Sequence, residues 1–167
     1  MPVKRVLAVD WGERRLGLAL SDALGITAQP LEPIVLPKAS SPGAANPAAR
    51  LEALRAVKAL AREHEVGCVV LGLPLLLSGE HGEAARAVEA FAAALRTCID
   101  VPVELWDERF TSALAEQSLR EEGTTSGNRR GGGRERARAT PTDKARVDRR
   151  AALLLLQSWL DAHPGRA

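Results

Sequence analysis

The sequence predicts an α/β protein with a mixed central sheet flanked by helices. Three observations carry that reading. The chain has 167 residues, 46% hydrophobic and 26% charged, the profile of one globular domain with a real core. Its opening third holds short apolar runs broken by tight turn signals, as in an antiparallel meander. From Pro47 onward, helical apolar spacing alternates with continuous apolar runs, which gives parallel βα units. No internal repeat and no second domain is visible, so residues 1–167 are expected to form a single domain.

Arg5 to Val9 is apolar with β-branched residues and reads as a buried strand. "DWGERRLG" follows as a turn, and "LGLALSD" reads as the second strand of a hairpin. "TAQPLEPIVLP" suggests a third strand, kept short or near an edge by its prolines. "KASSPGAANP" is a loop. Asn46 is placed to cap the next helix, with Pro47 in its first turn. Over Ala48 to Glu65 the spacing of Leu51, Leu54, Val57 and Leu60 or Ala61 is helical. "VGCVVLGLP" suits a central strand buried on both faces, closed by Gly72 and Pro74. "LLLSGEHG" is a loop. Glu83 to Arg96 reads as a helix with Val88, Phe91 and Leu95 inward. "VPVELW" is a strand, Thr111 to Glu121 a helix, and Asp143 to Asp161 a last helix with an apolar second half.

Several function classes lose ground on composition alone. The net charge of +2 does not demand a nucleic-acid partner. Cys68 and Cys98 are expected to be two reduced, buried thiols. They form no C-x-x-C pair, and His64, His81 and His163 lack zinc-ligand spacing. Asp10 interrupts the first apolar run too early for a secretory signal, and "AALLLLQSWL" is too short to span a bilayer. The expected location is cytoplasmic, with no membrane partner.

Three acids stand out by position. Asp10 ends the first strand, Glu108 follows the strand from Val103 to Trp106, and Asp148 lies early in the last helix. In a parallel arrangement the carboxyl ends of those strands share one edge, where open α/β sheets place their sites. If the last helix packs across that edge, Asp148 completes a cluster. Clustered carboxylates need a counter-charge, which Mg²⁺ or Mn²⁺ supplies through oxygen ligands. Two such ions about 4 Å apart can hold the attacking and leaving oxygens of a phosphodiester. Each acid also has a plainer use. Asp10 can cap the turn before Gly12. Asp107 and Glu108 can favour the first turn of the following helix through its dipole. Asp148 can pair with Arg149 or Arg150 in solvent.

"AVDWGERRLGLALSD" resembles the opening D-x-G-x-x-R-x-G-x-A-x-S-D motif of the YqgF/RuvX family, Holliday-junction-resolvase-like and ribosomal-RNA-processing nucleases. Asp10, Gly12, Arg15, Gly17, Ala19, Ser21 and Asp22 fill its positions. "VVLGLPLLLSGEHG" resembles that family's strand ending in G-L-P, followed by a glycine loop. "DERFTSALAEQSL" and "DKARVDRRAALLLLQSWLD" resemble its two later segments. Four motifs in order span nearly the whole chain. The resemblance implies a ribonuclease-H-like fold and a hydrolase, with Asp10, Glu108 and Asp148 as catalytic carboxylates and ligands of two divalent ions, Mg²⁺ or Mn²⁺. It makes Glu108 the ligand and leaves Asp107 to support the turn. Arg15, Arg109 and Thr111 are then expected to meet substrate phosphate. Leu75 to Leu77 is more apolar than the family pattern.

The stretch "GTTSGNRRGGGRERARATPTDK" is glycine-rich and basic. It reads either as a surface connector over residues 123–142 or as a flexible flap. As a flap, it would bring Arg129, Arg130, Arg134, Arg136 and Arg138 onto phosphates, with Lys144 beyond. Nucleic acid, as structured RNA or as branched or single-stranded DNA, is the expected partner. A junction resolvase would need two active sites and hence a homodimer; single-strand trimming would not. Two other classes compete. One is a structured-nucleic-acid-binding protein without cleavage. The other is a sugar kinase or actin-like ATPase, because D-x-G at a strand end also occurs in those phosphate loops.

Overall fold

A computed structural model describes residues 4–12, 14–38, 46–76, 78–109 and 141–166, with side chains of the last stretch described from Arg150 onward. The expected helix over Thr111–Glu121 and the basic stretch 123–142 up to Thr140 lie outside the described residues.

Continuous apolar runs become strands with a packed layer on each side. β1 (Arg5–Trp11) pairs antiparallel with β2 (Arg15–Ser21), as the hairpin reading requires. The run "VGCVVLGL" forms β5 (Val66–Leu73), which lies parallel between β1 and the last strand, β6 (Val103–Asp107). The expected third strand is split in two, β3 (Ala28–Pro30) and β4 (Ile34–Val35), both antiparallel to β2. Pro30 and Pro33 carry no N–H for a ladder, so the chain leaves the pairing between them. Leu31 and Leu36 tie it back through N–H bonds to Leu18 O and Arg14 O, each 2.9 Å. The sheet order is β3-β2-β1-β5-β6, with β4 also on β2.

Two helices cover one face. α1 (Pro47–Glu63) starts at Asn46, whose Oδ1 accepts from the Ala49 N–H at 3.1 Å, and Pro47 opens its first turn. Its inward stripe is Ala49, Ala53, Val57 and Ala61, not the expected leucines; Leu51 is 49% exposed. The alanine and leucine stripes both have helical period, so spacing does not choose between them. The small stripe lets the helix lie close, while Leu54 and Leu60 pack at its flanks. α2 (Glu83–Arg96) buries Val88, Phe91 and Leu95 as expected.

α3 (Pro141–Ala162) crosses the other face. It packs on Val6, Ala8, Ala19 and Val70 through Ala152, Leu155, Leu156 and Trp159. Polar ties fix its register. Gln157 accepts the Ala28 N–H at 3.0 Å and donates to Ile26 O at 3.1 Å. Trp106 Nε1–H donates to Ser158 Oγ at 2.7 Å, and Trp159 Nε1–H to Glu104 Oε2 at 3.1 Å. Cys68 and Cys98 are free thiols as expected, but only partly buried. Burial pushes the Cys68 thiol up to about 11, with Glu104 adding to the shift and Arg166 opposing it.

Ser21 and Asp22 build the amino edge. The β1–β5 register shifts between Arg5 and Val6, and the Val6 N–H goes instead to Ser21 Oγ at 2.9 Å. Asp22 Oδ1 accepts the N–H groups of Ile26 (2.7 Å) and Thr27 (3.2 Å), closing the β2–β3 turn. Ser21 is 1% exposed, so Ser21→Ala leaves a buried amide without its acceptor. It should cost about 1–3 kcal/mol in denaturant unfolding, and an unchanged midpoint would show that the amide has another partner.

Candidate functional site

Asp10 and Glu108 meet because of what stands between their strands. β1 and β6 flank β5, so their axes lie roughly 10 Å apart, two strand spacings of about 4.8 Å. The ladder pairs Val9 with Leu71 and Gly72 with Trp106, so Gly72 is the β5 residue between the two acids. Side chains alternate along a strand. Asp10 therefore shares the α3 face with Ala8, Gly72 with Val70, and Glu108 with Trp106. A Cβ on Gly72 would lie 2.5 Å from Glu108 Oε1. The missing side chain is the room that the carboxylate occupies.

Local turns hold both acids at this edge. The Gly12 N–H donates to Arg15 O at 3.0 Å, and a Cβ on Gly12 would stand 2.7 Å from that oxygen. This close approach requires the glycine of "DWG". The Glu108 N–H donates to Leu73 O at 3.2 Å, the last bond before the chain turns away. Trp11 packs on Phe91 of α2, ring centroids 4.5 Å apart, which steadies the end of β1 from the opposite face.

Asp10 and Glu108 line a small cleft of about 110 Å³ together with Ala151 and Leu155 of α3. Burial pushes the Glu108 carboxyl up to about 7, and the charges of Asp10 and Asp107 push in the same direction. Asp107 behaves oppositely. Hydrogen bonds from the Arg109 side chain hold it below its usual value. Adjacent acids thus have separate surroundings, one in the cleft and one on an arginine.

Asp148 lies in α3, three residues before Ala151 and seven before Leu155. That register places it on the stripe that lines the cleft, about 4.5 Å further along the axis than Ala151. Its side chain, and that of Lys144, lie outside the described residues. Thr111, Arg129, Arg130, Arg134, Arg136 and Arg138 lie wholly outside them. Arg15 opens β2, where its backbone pairs with Val35. Among the described residues, no three His, Cys, Asp or Glu side chains gather as a metal-binding group. Ala151 and Leu155 were not among the expected site residues, although the i, i+3, i+7 stripe from Asp148 signals them.

The RuvX family, described as Holliday junction resolvase, matches residues 4–162. The chain belongs to the RuvX family. A relative from Synechococcus elongatus, named "Putative pre-16S rRNA nuclease", is 36% identical over 161 residues, covering 96% of this chain and 91% of its own. One of the same name from Koribacter versatilis is 40% identical over 157 residues, covering 94% and 86%. The family resemblance read from the four motifs is thereby established, and with it the enzyme class, a nuclease among the hydrolases. Among solved structures, Thermus thermophilus RuvC in complex with a Holliday junction substrate superposes with a TM-score of 0.57. It is 19% identical and covers 98% of each chain. The fold is ribonuclease-H-like, as the RuvX motifs imply. Among the described residues, no helix is long and apolar enough to cross a membrane.

Gly72→Ala should fold, because the atom it displaces is the free end of a side chain. By moving Glu108, it should weaken about tenfold any divalent cation binding at the pair, read by calorimetric titration with Mn²⁺; unchanged affinity would show that the carboxylate has other room. A second expectation concerns pH. A carboxyl raised to about 7 in the folded state stabilises that state below its unfolded value of 4.5. This contribution is lost as pH rises through 7. The melting temperature of metal-free protein should therefore fall between pH 5 and 7, and Glu108→Gln should flatten the fall.

Proposed function

We propose that this chain is a metal-dependent nuclease that hydrolyses phosphodiester bonds during maturation of the small-subunit ribosomal RNA precursor. The observation that carries the reading is the pair of carboxylates, Asp10 and Glu108, set across Gly72 in a cleft walled by α3. The names of the RuvX relatives support ribosomal RNA precursor as substrate. Processing of branched or single-stranded DNA is the second reading, supported by the family's description.

The donor set fits a hard divalent cation. It offers carboxylate oxygens, held partly out of water and repelling each other. Asp10 and Glu108 would hold Mg²⁺ or Mn²⁺, with Asp148 as the third ligand from its stripe on α3. When two ions are bound, they supply positive charge to the attacking and leaving oxygens of an in-line displacement. The chain's own residues do the rest. Glu108, near 7 without a cation, gives up its proton when positive charge arrives. Ala151 and Leu155 keep one side of the cleft apolar, which strengthens electrostatic interactions within it. Arg15, Arg109, Thr111, Lys144 and the arginines from Arg129 to Arg138 would bind substrate phosphates.

The alternative of a binding protein without cleavage gives no reason to set two like charges together in a half-buried cleft. The test uses labelled ribosomal RNA precursor, four-way DNA junction and single-stranded DNA, each with Mg²⁺, Mn²⁺ or EDTA. Cutting should require metal, favour the precursor, and fall at least a hundredfold in Asp10→Asn, with binding retained. Preference for the junction would move the reading to DNA. No cutting of any substrate, with binding intact, would leave the binding protein.

A further inference from the structure

Asp107 and Arg109 stand on either side of Glu108 and are joined to each other. Asp107 Oδ1 accepts the Arg109 backbone N–H at 2.9 Å. The same carboxylate takes Nε at 3.1 and 2.9 Å on its two oxygens, and Nη2 at 2.6 Å. Two parallel bonds fix both the plane and the direction of the guanidinium, which one bond would leave free to swing. Among the described residues, the third nitrogen, Nη1, makes no hydrogen bond or ion pair. The Arg109 side chain is 45% exposed while Asp107 is only 15% exposed. The carboxylate is the more covered partner and the arginine the more exposed one.

The loop after β5 comes up beside that edge without bonding it. Gly79 turns with φ +84°, its N–H bonded to Leu76 O at 2.7 Å. A Cβ at Gly79 would stand 3.6 Å from Arg109 Nη1. A partly exposed ion pair adds only modestly to stability, and capping the turn needs only the bond from Asp107 Oδ1 to the backbone N–H. The extra bonds restrict one thing, the aim of Arg109.

We propose that Asp107 is a positioning residue that holds Arg109 as a preset arm. The arm's open Nη1 edge takes a non-bridging oxygen of a nucleic-acid phosphodiester next to the one at the carboxylate pair. This rests on the nuclease reading above. Because Asp107 offsets much of the arginine's charge, the arm contributes direction more than long-range attraction. Losing the grip therefore misaligns bound substrate, which lowers kcat more than it raises KM.

The test compares Asp107→Asn, Arg109→Lys, Arg109→Ala and the double variant Asp107→Asn/Arg109→Ala. Asn still caps the turn, so the melting temperature of Asp107→Asn should stay near wild type. Its kcat should fall about tenfold with KM little changed. Arg109→Lys keeps charge without the fork and should match it. The double variant should be no worse than Arg109→Ala, because Asp107 acts through Arg109. Wild-type kcat in Asp107→Asn, or losses that multiply in the double variant, would overturn the proposal. So would a weakened Mn²⁺ dependence in Asp107→Asn, which would make Asp107 a ligand. Binding of labelled precursor RNA in EDTA separates the two readings. Arg109→Ala should weaken it about fivefold even if wild type cuts nothing. Unchanged binding would overturn the arm whether or not the protein is a nuclease.

Discussion

Repulsion between Asp10 and Glu108 is the constraint around which this edge of the sheet is organised. Water normally relieves such a pair, by solvating each charge and letting the side chains swing apart. Here both escapes are narrowed, since each side chain is only partly exposed. β1 and β6 are held at a fixed separation by β5 between them, and Gly72 opens the space into which Glu108 leans. Burial then raises the cost of charging Glu108, which is why its carboxyl sits near 7. The unfavourable term is local, and the stability that tolerates it comes from the two apolar layers. A cation held there, as proposed, would turn the repulsion into attraction.

α3 decides what closes that site. Among the described residues, Gln157, Ser158 and Trp159 tie it to the sheet. Glu104 accepts from Trp159 and also pairs with Arg166 at 2.9 Å, so β6 grips the helix near the amino edge. His163 stacks on Trp159, with ring centroids 4.5 Å apart, and extends that contact. A helix transmits register along its length, 3.6 residues to the turn. Bonds at Ser158 thus set where the stripe of Asp148, Ala151 and Leu155 falls, nearly three turns away. Trp106 joins both ends of this arrangement. It bonds Ser158 and stands two residues before Glu108 on the same face.

Much of this was legible in the residues. Strands fully buried on both faces announce themselves as unbroken apolar runs, and β1 and β5 were read that way. The inward side of α1 was legible only in part, at Val57 and Ala61. Its alanines and leucines make two stripes of the same period, and close approach to a sheet favours the smaller set against the ranking by hydrophobicity. The split of the third strand was half legible, since the prolines marked a weak strand without saying where it would break. Spacing alone hardly separates Asp107 from Glu108, because adjacent positions differ only in the face they point to; the family motif is what makes Glu108 the ligand and leaves Asp107 to the turn. What separates them is three-dimensional, Arg109 on one side and Gly72 on the other. Asp148 stands out only weakly, by its position early in the last helix, and the family motif strengthens that reading.

In the proposed reaction, the carboxylate pair acts on a group that RNA and DNA share. A phosphodiester presents the same non-bridging oxygens whatever sugar it joins, so two acids and their cations cannot distinguish the polymers. The likeness to RuvC carries no substrate either, because at 19% identity it is a likeness of fold. Discrimination has to come from groups that reach past the phosphate to a 2′-hydroxyl, a base or a branch. Along the described edge, Arg109 and the glycine turn at Gly79 are the elements placed beyond the acids, and Arg109 is aimed. An arm with fixed direction reads the spacing between successive phosphates, which differs between a flexible single strand and a stacked junction. Selectivity in this fold therefore belongs to the rim of the cleft, and the chemistry to its floor.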